Sequence, residues 1–343
     1  MPVSPLPGFT PLITHHCITG SLRHIYEFHH YPISEDLLLG LGAGLGFIYW
    51  HTSGVPPLFG GRANFERPGG EKGLEKTAGE RTGVHVESHY TASRRKAEGA
   101  LLELLSAGEP VMVYLDMGFL PYFGLPEGYH FGGHAVVVAG YDADSGQTLL
   151  ADRDGVLHAV PLGTLEKARG STYKPFPPQH AWYTFDFSRK RPPEPEDVRL
   201  SIHEVVTFML QPPIANLGVK GIRTAAKRIV KWSEQMDEAA LREACWTVNL
   251  YIDAKGGTGG GIFRYMYARF LQEAAGITGD GRLMDSGAAV HAVGDQWQQV
   301  ARLFAEAADA PDALPTLKEA SAQLLAIADC EQEVWGQLQR LVN

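Results

Sequence analysis

The sequence predicts an α+β domain followed by an all-α domain. In the first 190 residues, a short helix carrying Cys17 is combined with strand-like segments joined by short turns, which predicts an antiparallel sheet. From residue 200 to 343 the apolar residues recur with helical periodicity. Between these parts, the segment 188–199 is rich in proline and charge, which is typical of a linker. We therefore expect a first domain at 1–190 and a helical domain at 200–343 that could cover a functional site of the first.

Composition and charge narrow the classes of function. A hydrophobic fraction of 44%, a charged fraction of 20% and a net charge of -9 are typical of a globular protein and argue against general nucleic-acid binding. The three cysteines, Cys17, Cys245 and Cys330, form no CxxC pair, so neither a disulfide framework nor a thiolate zinc site is indicated. Without a secretory leader or an apolar run of membrane-spanning length, we expect a cytoplasmic protein that acts at no membrane.

Cys17 begins the first predicted helix. Ile18, Leu22, Ile25 and Tyr26 follow it at the spacing of one helix face. The N-terminus of a helix has unpaired N–H groups and the positive end of the dipole, and both favour a thiolate, the nucleophilic form of cysteine. The alternative is a small cysteine that only packs in the core.

The next segments give weaker signals. Ser34 is a good N-cap for a helix through Leu39. The glycines at 40, 42, 44 and 46 lack the GxGxxG spacing of a nucleotide loop, so they indicate a strand or turn in which backbones approach closely. Residues 53–90 are rich in glycine and charge, have weak periodicity and are predicted to be partly an active-site loop.

The rest of the first domain has clearer periodicity. A helix is predicted at 91–107, followed by the buried strand PVMVYLD. An aromatic, turn-rich segment then leads to His134. Four further strands are predicted, at 134–141, 147–152, 156–160 and 180–187.

His134 and Asp152 complete a candidate triad. His134 opens the strand GGHAVVVAGYD, and Asp152 lies in LLADRDG at the end of the next strand. A histidine can take the thiol proton, and an aspartate can fix the tautomer of that histidine. This chain order of Cys, His and Asp is typical of papain-like cysteine enzymes. We therefore expect Cys17, His134 and Asp152 to be catalytic, with Asp154 in reserve.

Two features of the helical domain suggest binding. The glycine run 256–261, with Gly257, Gly259 and Gly260, precedes a helix whose Arg264 could add charge, so it could bind a phosphate or carboxylate; a plain connector is the alternative. The second feature is a basic helix face, either a solvated surface or a docking patch for an acidic partner, formed by Arg223, Lys227, Arg228 and Lys231. Despite 14 histidines, we expect no metal site, because HExxH and a convergent carboxylate are missing.

Several blocks together resemble a known family. They are HCITGSLRHIYEF, ISEDLLLGLGAGLGFIYW, GGR at 60–62, PVMVYLD, GGHAVVVAGYD and LLADRDG. These blocks resemble the N-terminal domain family of the butirosin-biosynthesis acyltransferase, a papain-like relative of the bacteriocin-processing cysteine peptidases. The helical part, with GIRTAAKRI and GTGGGIFRYMYARFL, resembles the uncharacterised helical domain that often follows it.

The resemblance implies an acyltransferase of antibiotic biosynthesis. Cys17 would accept an acyl group from the phosphopantetheine arm of an acyl carrier protein and pass it to an amine of a small molecule, without a further cofactor. His134 would be the base and acid, and Asp152 would orient it. Papain-like peptidases place a Gln about six residues before the Cys, but Pro11 stands there in this chain, so the Cys17 N–H with His15 or His16 would form the oxyanion hole. A cysteine peptidase or amidase and a non-catalytic binding module remain alternatives.

Overall fold

A computed structural model describes residues 3–52, 55–66, 72–174 and 176–342. The chain divides into two compact units. Unit 1 contains Met1–Leu38 and Thr82–Arg191, and unit 2 contains Leu39–Arg81 and Pro192–Asn343. The predicted fold class is confirmed, because antiparallel sheets combine with helices and the C-terminal region is helical.

Unit 1 is built on a six-stranded antiparallel sheet. Its strands, in the spatial order β3-β8-β4-β5-β6-β7, are β3 (His85–His89), β8 (Trp182–Asp186), β4 (Val111–Leu115), β5 (His134–Asp142), β6 (Gln147–Ala151) and β7 (Leu157–Pro161). Its helices are α1 (Cys17–Phe28), α4 (Arg94–Ser106) and α5 (Leu162–Arg169), and α2 (Glu35–Leu41) begins there. Two short 3₁₀ turns, Met117–Phe119 and Pro121–Phe123, follow β4.

Helices cover the central strands of this sheet. Leu101 of α4 and Leu165 of α5 join the same buried cluster as Val136 and Val138 of β5. Because strand side chains alternate between faces, Val137 points to the other face, and it is buried as well. Helix α1 contacts both β5 and β4. The strand that opens with His134 is therefore held rigidly within the core.

Unit 2 is mainly helical. It contains the antiparallel pair β1 (Leu45–Trp50) and β2 (Leu58–Arg62), and most of α3 (Gly73–Thr82). Its other helices are α6 (Pro195–Leu210), α7 (Gly218–Ile229), α8 (Trp232–Gln235), α9 (Glu238–Ile252), α10 (Gly261–Thr278), α11 (Arg282–Asp309) and α12 (Leu314–Val342). None of the helices within the described ranges is long and apolar enough to cross a membrane.

The structure differs from the sequence expectations in one region. No helix or strand was predicted at 53–90, which were expected to be partly an active-site loop, but their described part contains β2, α3 and β3. Helix α3 (GLEKTAGERT) is mostly polar, which weakens the periodicity on which the prediction relied. Leu39–Arg81 also groups with the helical unit rather than with the rest of 1–190, because β1 and β2 contact α7 and α9.

Other elements lie close to their predicted positions. Ser34 caps α2, since its Oγ accepts the N–H of Leu37 at 2.9 Å. The glycines before and within β1 permit close packing, as expected: a Cβ at Gly46 would lie 2.6 Å from the Phe208 ring and 2.8 Å from Ala63.

Candidate active site

Cys17 is the first residue of α1. His16 before it has an extended backbone, and the first helical hydrogen bond runs from the Gly20 N–H to the His16 carbonyl at 2.7 Å. The N–H of Cys17 therefore has no acceptor within its own helix, as at every helix N-terminus. Cys17 as a whole residue is half-buried, and its thiol is desolvated.

His134 and Asp152 are brought together by the sheet. His134 pairs with Leu115 at the start of β5, and Asp152 directly follows β6, the neighbouring strand. Nε2 of His134 lies 2.7 Å from Oδ2 of Asp152, and both side chains are buried. An ionised carboxylate only accepts hydrogen bonds, so Nε2 must carry a hydrogen. The imidazole is thereby oriented with Nδ1 as the nitrogen left for Cys17.

The thiol of Cys17 and the imidazole of His134 form a side-chain hydrogen bond. Burial alone would raise the pKa of Cys17, but the charge of His16 and the hydrogen bond and charge of His134 outweigh it and hold that pKa well below its usual value. Burial alone would lower the pKa of His134, but Asp152 and Cys17 raise it to about 9. These opposite shifts favour the thiolate–imidazolium form of the pair, which is the form that a cysteine nucleophile requires.

Tyr122 is a site residue that the sequence did not reveal. Its hydroxyl donates to Oδ2 of Asp152 at 2.9 Å, the same oxygen that binds His134. Although burial would raise the pKa of Asp152, its contacts with His134, Arg153 and Tyr122 lower it, so the carboxylate stays ionised. The aromatic segment before His134 was visible in the sequence, but nothing in its spacing indicated which ring would reach the carboxylate.

Neighbouring rings fix this arrangement. Tyr122 stacks on His158 with the ring centroids 3.8 Å apart, and Phe123 packs edge-on against His134 at 5.3 Å. Asp154, the reserve candidate for the orienting carboxylate, binds His158 at 2.8 Å and is largely exposed. It is therefore Asp152, and not Asp154, that orients His134.

Of the two oxyanion candidates, His16 is the one whose ring interacts with the Cys17 thiol. The ring of His16 is buried and interacts with the thiol of Cys17. The ring of His15 is mostly exposed, and its Nδ1 lies 3.2 Å from Glu35. Both backbone N–H groups donate to Glu35, at 2.8 Å from His15 and 2.6 Å from His16. Glu35 is a buried carboxylate in the first turn of α2, and nothing in its local sequence indicates these contacts.

The predicted anion site on the glycine run is wrong. Arg264 is completely buried in unit 2, where Nε lies 3.0 Å and Nη2 2.9 Å from Oε1 of Glu331. The N–H of Gly259 donates to the Tyr251 carbonyl at 2.8 Å.

The glycines of that run serve close packing. A Cβ at Gly257 would lie 2.2 Å from the Tyr251 backbone, one at Gly259 would lie 1.9 Å from the Phe59 carbonyl, and one at Gly260 would lie 2.4 Å from the Ile252 carbonyl. The run is therefore a tightly packed connector.

The basic face of α7 remains a predicted docking patch. Arg223 pairs with Asp329 at 2.7 Å, whereas Lys227, Arg228 and Lys231 are exposed.

Within the described part of the chain, no group of three or more His, Cys, Asp or Glu residues could hold a metal ion.

Two family matches span most of the chain. Residues 16–153 match the family described as butirosin biosynthesis protein H, N-terminal. Residues 163–338, just over half of the 343 residues, match the family described as domain of unknown function (DUF4872). No curated protein matches the chain significantly. The predicted resemblance is confirmed for both parts, and the first family is consistent with a papain-like fold.

Proposed function

The chain belongs to the DUF4872 family and carries, ahead of that domain, the N-terminal domain of the butirosin biosynthesis protein H family, and we propose that it is a cysteine acyltransferase of antibiotic biosynthesis. Cys17 carries the acyl group as a thioester, and a small-molecule amine receives it. The reaction needs a reduced thiol, which suits the cytoplasm.

The observation that carries this proposal is the Cys17–His134 pair. The pKa of Cys17 is held well below its usual value, and that of His134 is raised to about 9. A thiol with only a packing role has no need of two histidines and a buried carboxylate. The pair therefore favours an enzyme over a non-catalytic binding module on the same fold.

In the first half-reaction, the Cys17 thiolate attacks the carbonyl carbon of the donor thioester. The negative charge moves to the carbonyl oxygen, where the Cys17 N–H at the start of α1 can donate to it. Collapse of this intermediate breaks the bond to the donor sulfur. His134, protonated at Nδ1, gives its proton to the departing thiolate, and the acyl group stays on Cys17.

In the second half-reaction, the amine attacks the Cys17 thioester. His134, now neutral, takes a proton from the attacking nitrogen through Nδ1, while Asp152 accepts the hydrogen bond from Nε2 and stabilises the imidazolium that forms. The amide leaves and Cys17 returns to the thiolate. No cofactor enters either half-reaction, and the arm of a carrier protein supplies the donor sulfur.

A cysteine peptidase or amidase is the second candidate, because the same pair could deliver the acyl group to water. The absence of the usual Gln, with Pro11 at its position, favours transfer over peptide hydrolysis. The description of the N-terminal family also refers to biosynthesis rather than to proteolysis.

An intact-mass experiment tests the proposal. The purified protein is mixed with a small acyl thioester of N-acetylcysteamine, and we expect its mass to rise by one acyl group. Cys17→Ser should abolish this rise, because a hydroxyl is hardly ionised at neutral pH. Cys330→Ser serves as the matched control and should still be acylated. An unchanged adduct in Cys17→Ser would reject Cys17 as the acyl acceptor.

Adding glycinamide to the acylated protein separates the two enzymatic candidates. A transferase should release the acyl group as the glycinamide amide faster than as the free acid. Release as the free acid alone, at a rate that does not depend on the amine concentration, would favour the hydrolase.

A further inference from the structure

Glu35 is a buried carboxylate that binds the segment just before the nucleophile. Only 3% of Glu35 is exposed. Its Oε2 accepts the His15 N–H at 2.8 Å, and its Oε1 accepts the His16 N–H at 2.6 Å. Oε1 also accepts the hydroxyl of Thr19 at 2.9 Å. One carboxylate on α2 thus holds both peptide units that precede Cys17 and the first turn of α1.

These contacts keep Glu35 ionised. Burial alone would raise the pKa of Glu35, but the hydrogen bonds from the His15 side chain and from the two backbone N–H groups lower it. A carboxylate near the N-terminus of α1 is also favoured by the helix dipole. At neutral pH, Glu35 is therefore an acceptor only.

The ionised carboxylate determines where the hydrogen on Nδ1 of His16 must be. Nδ1 lies 3.1 Å from Oγ1 of Thr19 and 3.4 Å from the Thr19 N–H. Thr19 has a single hydroxyl hydrogen, and it donates this hydrogen in a bond to the charged Glu35 carboxylate, 2.9 Å away. Oγ1 can then only accept from His16, so Nδ1 carries a hydrogen. The Thr19 N–H, whose nitrogen lies 3.4 Å from Nδ1, then only approaches this nitrogen and does not bond to it.

We propose that Glu35, acting through Thr19, is a positioning residue that holds His16 with its hydrogen on Nδ1, so that His16 acts on Cys17 as a second histidine. With Nδ1 bound to Thr19, Nε2 is the nitrogen that serves the hydrogen bond between His16 and the thiol. An N–H at Nε2 donates to the Cys17 thiolate, and the charge of the His16 ring lowers the pKa of Cys17.

Cys17 then lies between two rings, each held in one tautomer by a carboxylate. Asp152 holds His134 directly at Nε2, and Glu35 holds His16 at Nδ1 through Thr19. The inference rests on Cys17 being the nucleophile, as in the proposed function, but not on the identity of the acyl donor or acceptor.

The pH dependence of Cys17 alkylation by iodoacetamide tests the proposal, because it follows the thiolate and needs no acyl donor. The charged and titratable groups around the thiol and the relay are His15 and His16 before α1, His24 on α1, Glu35 on α2, His134 on β5, and Asp152 with Arg153 after β6. Thr19→Val and Glu35→Gln change the relay through Thr19 and leave the residues His134 and Asp152 unchanged.

Thr19→Val removes the hydroxyl and keeps the shape of the side chain, so His16 loses its link to Glu35. We expect the alkylation midpoint to move upward by about one pH unit, the size of a lost charge interaction. Thr19→Ser keeps the hydroxyl and should restore the midpoint. Curves for Thr19→Val and the parent protein that superimpose would overturn the proposal.

In Glu35→Gln, the direction in which the alkylation midpoint moves distinguishes a positioning role from a through-space charge effect. Loss of a negative charge near the thiol would, through space alone, favour the thiolate and move the midpoint downward. Loss of the His16 anchor moves it upward, as we expect. Asp36→Asn removes a charge from the same turn of α2 without touching the Thr19 relay, so its midpoint should not move upward. A downward shift in Glu35→Gln would contradict the positioning role.

Melting temperatures separate positioning from folding. A purely structural Glu35 would lower the melting temperature of Glu35→Gln without moving the alkylation midpoint, and that result would also overturn the proposal. If Glu35→Gln does not fold, Thr19→Val against Thr19→Ser decides. An upward shift in Thr19→Val in a protein that accepts no acyl group would support the relay and reject the acyltransferase proposal alone.

Discussion

Nε2 of His134 and Oδ2 of Asp152 lie 2.7 Å apart in a buried contact, and this contact keeps the ring positively charged beside Cys17. Asp152→Asn keeps the shape and removes the charge. The pKa of His134 should then fall from about 9, and the thiolate–imidazolium pair should weaken. We expect the single-turnover acylation rate to fall by roughly 100- to 10,000-fold, the range for loss of an orienting carboxylate.

Asp154→Asn is the control for this change, because Asp154 is exposed and binds His158. It should keep the acylation rate within about twofold, as surface changes usually do. Similar losses in both variants would mean that Asp152 has no special relation to His134.

Tyr122→Phe should have a smaller effect. Phenylalanine keeps the stack on His158 and removes only the hydroxyl that donates to Asp152. One hydrogen bond to a charged group is worth about 1.5–3 kcal/mol, of which acylation should feel a part, so we expect a loss of about tenfold. Tyr141→Phe on β5 removes a hydroxyl away from the triad and should have no effect on the measured acylation rate. Equal rates in Tyr122→Phe and the parent protein would remove Tyr122 from the site.

Acylation and alkylation should separate at high pH. The pKa of the Cys17 thiol lies well below its usual value, and the pKa of His134 is raised to about 9. The charged pair therefore exists between these values, and acyl transfer should fall as the pH rises through about 9, because no acid remains for the leaving thiol. Alkylation of Cys17 needs only the thiolate and should persist.

Peptide mapping of the alkylated protein provides the internal control. Burial raises the pKa of Cys245 to about 12, so this thiol should remain unlabelled over the same pH range. Labelling of Cys245 at the rate of Cys17 would argue against a selectively activated thiolate.

The docking role proposed for α7 predicts that the rate of acylation by a carrier-bound donor depends on ionic strength. Reversing the charge at Lys227 and Arg228 should slow acylation by a carrier-bound donor, and the loss should shrink as ionic strength rises. Acylation by the small thioester should not change. Charge reversal at Lys318 and Arg340, two exposed cations of α12, is the matched control. Equal losses in the two double variants would mean that net charge, and not the α7 face, matters.

The buried pair of Arg264 and Glu331 should govern stability and not substrate binding. Glu331 also accepts the indole N–H groups of Trp297 and Trp335, at 2.9 and 3.0 Å. Arg264→Met leaves this carboxylate buried without its cation, which should cost about 3–5 kcal/mol in urea unfolding. Replacing both partners with apolar residues should restore part of the loss. A raised KM with unchanged unfolding would instead revive the ligand-binding role of Arg264.

The three residues of the proposed triad could be singled out from the sequence for a physical reason. Cys17 starts an amphipathic helix, and His134 and Asp152 flank strong apolar strands, so local periodicity placed each of them. Glu35 and Tyr122 could not be assigned in this way. Their partners, His16 and Asp152, are far away in the chain, and a glutamate in the first helical turn or a tyrosine in a turn is ordinary in its local context.

Arg264 shows the opposite error. A glycine run followed by an arginine one turn into a helix fits an anion site and a buried ion pair equally well in local sequence. The partner that decides between them is Glu331, on α12, and no local pattern links it to Arg264.

The assignment of Leu39–Arg81 to unit 2 has a consequence for synthesis on the ribosome. The β1–β2 hairpin is made early, but α9 and α7, which it contacts, emerge only after the whole sheet of unit 1. The apolar face of the hairpin therefore stays unpacked until these helices have been synthesised, whereas unit 1 can complete its own core once β8 has been made. Such delayed long-range pairing is slow and exposes strand edges during translation. We expect nascent chains stalled before α9 to need chaperone protection at this hairpin.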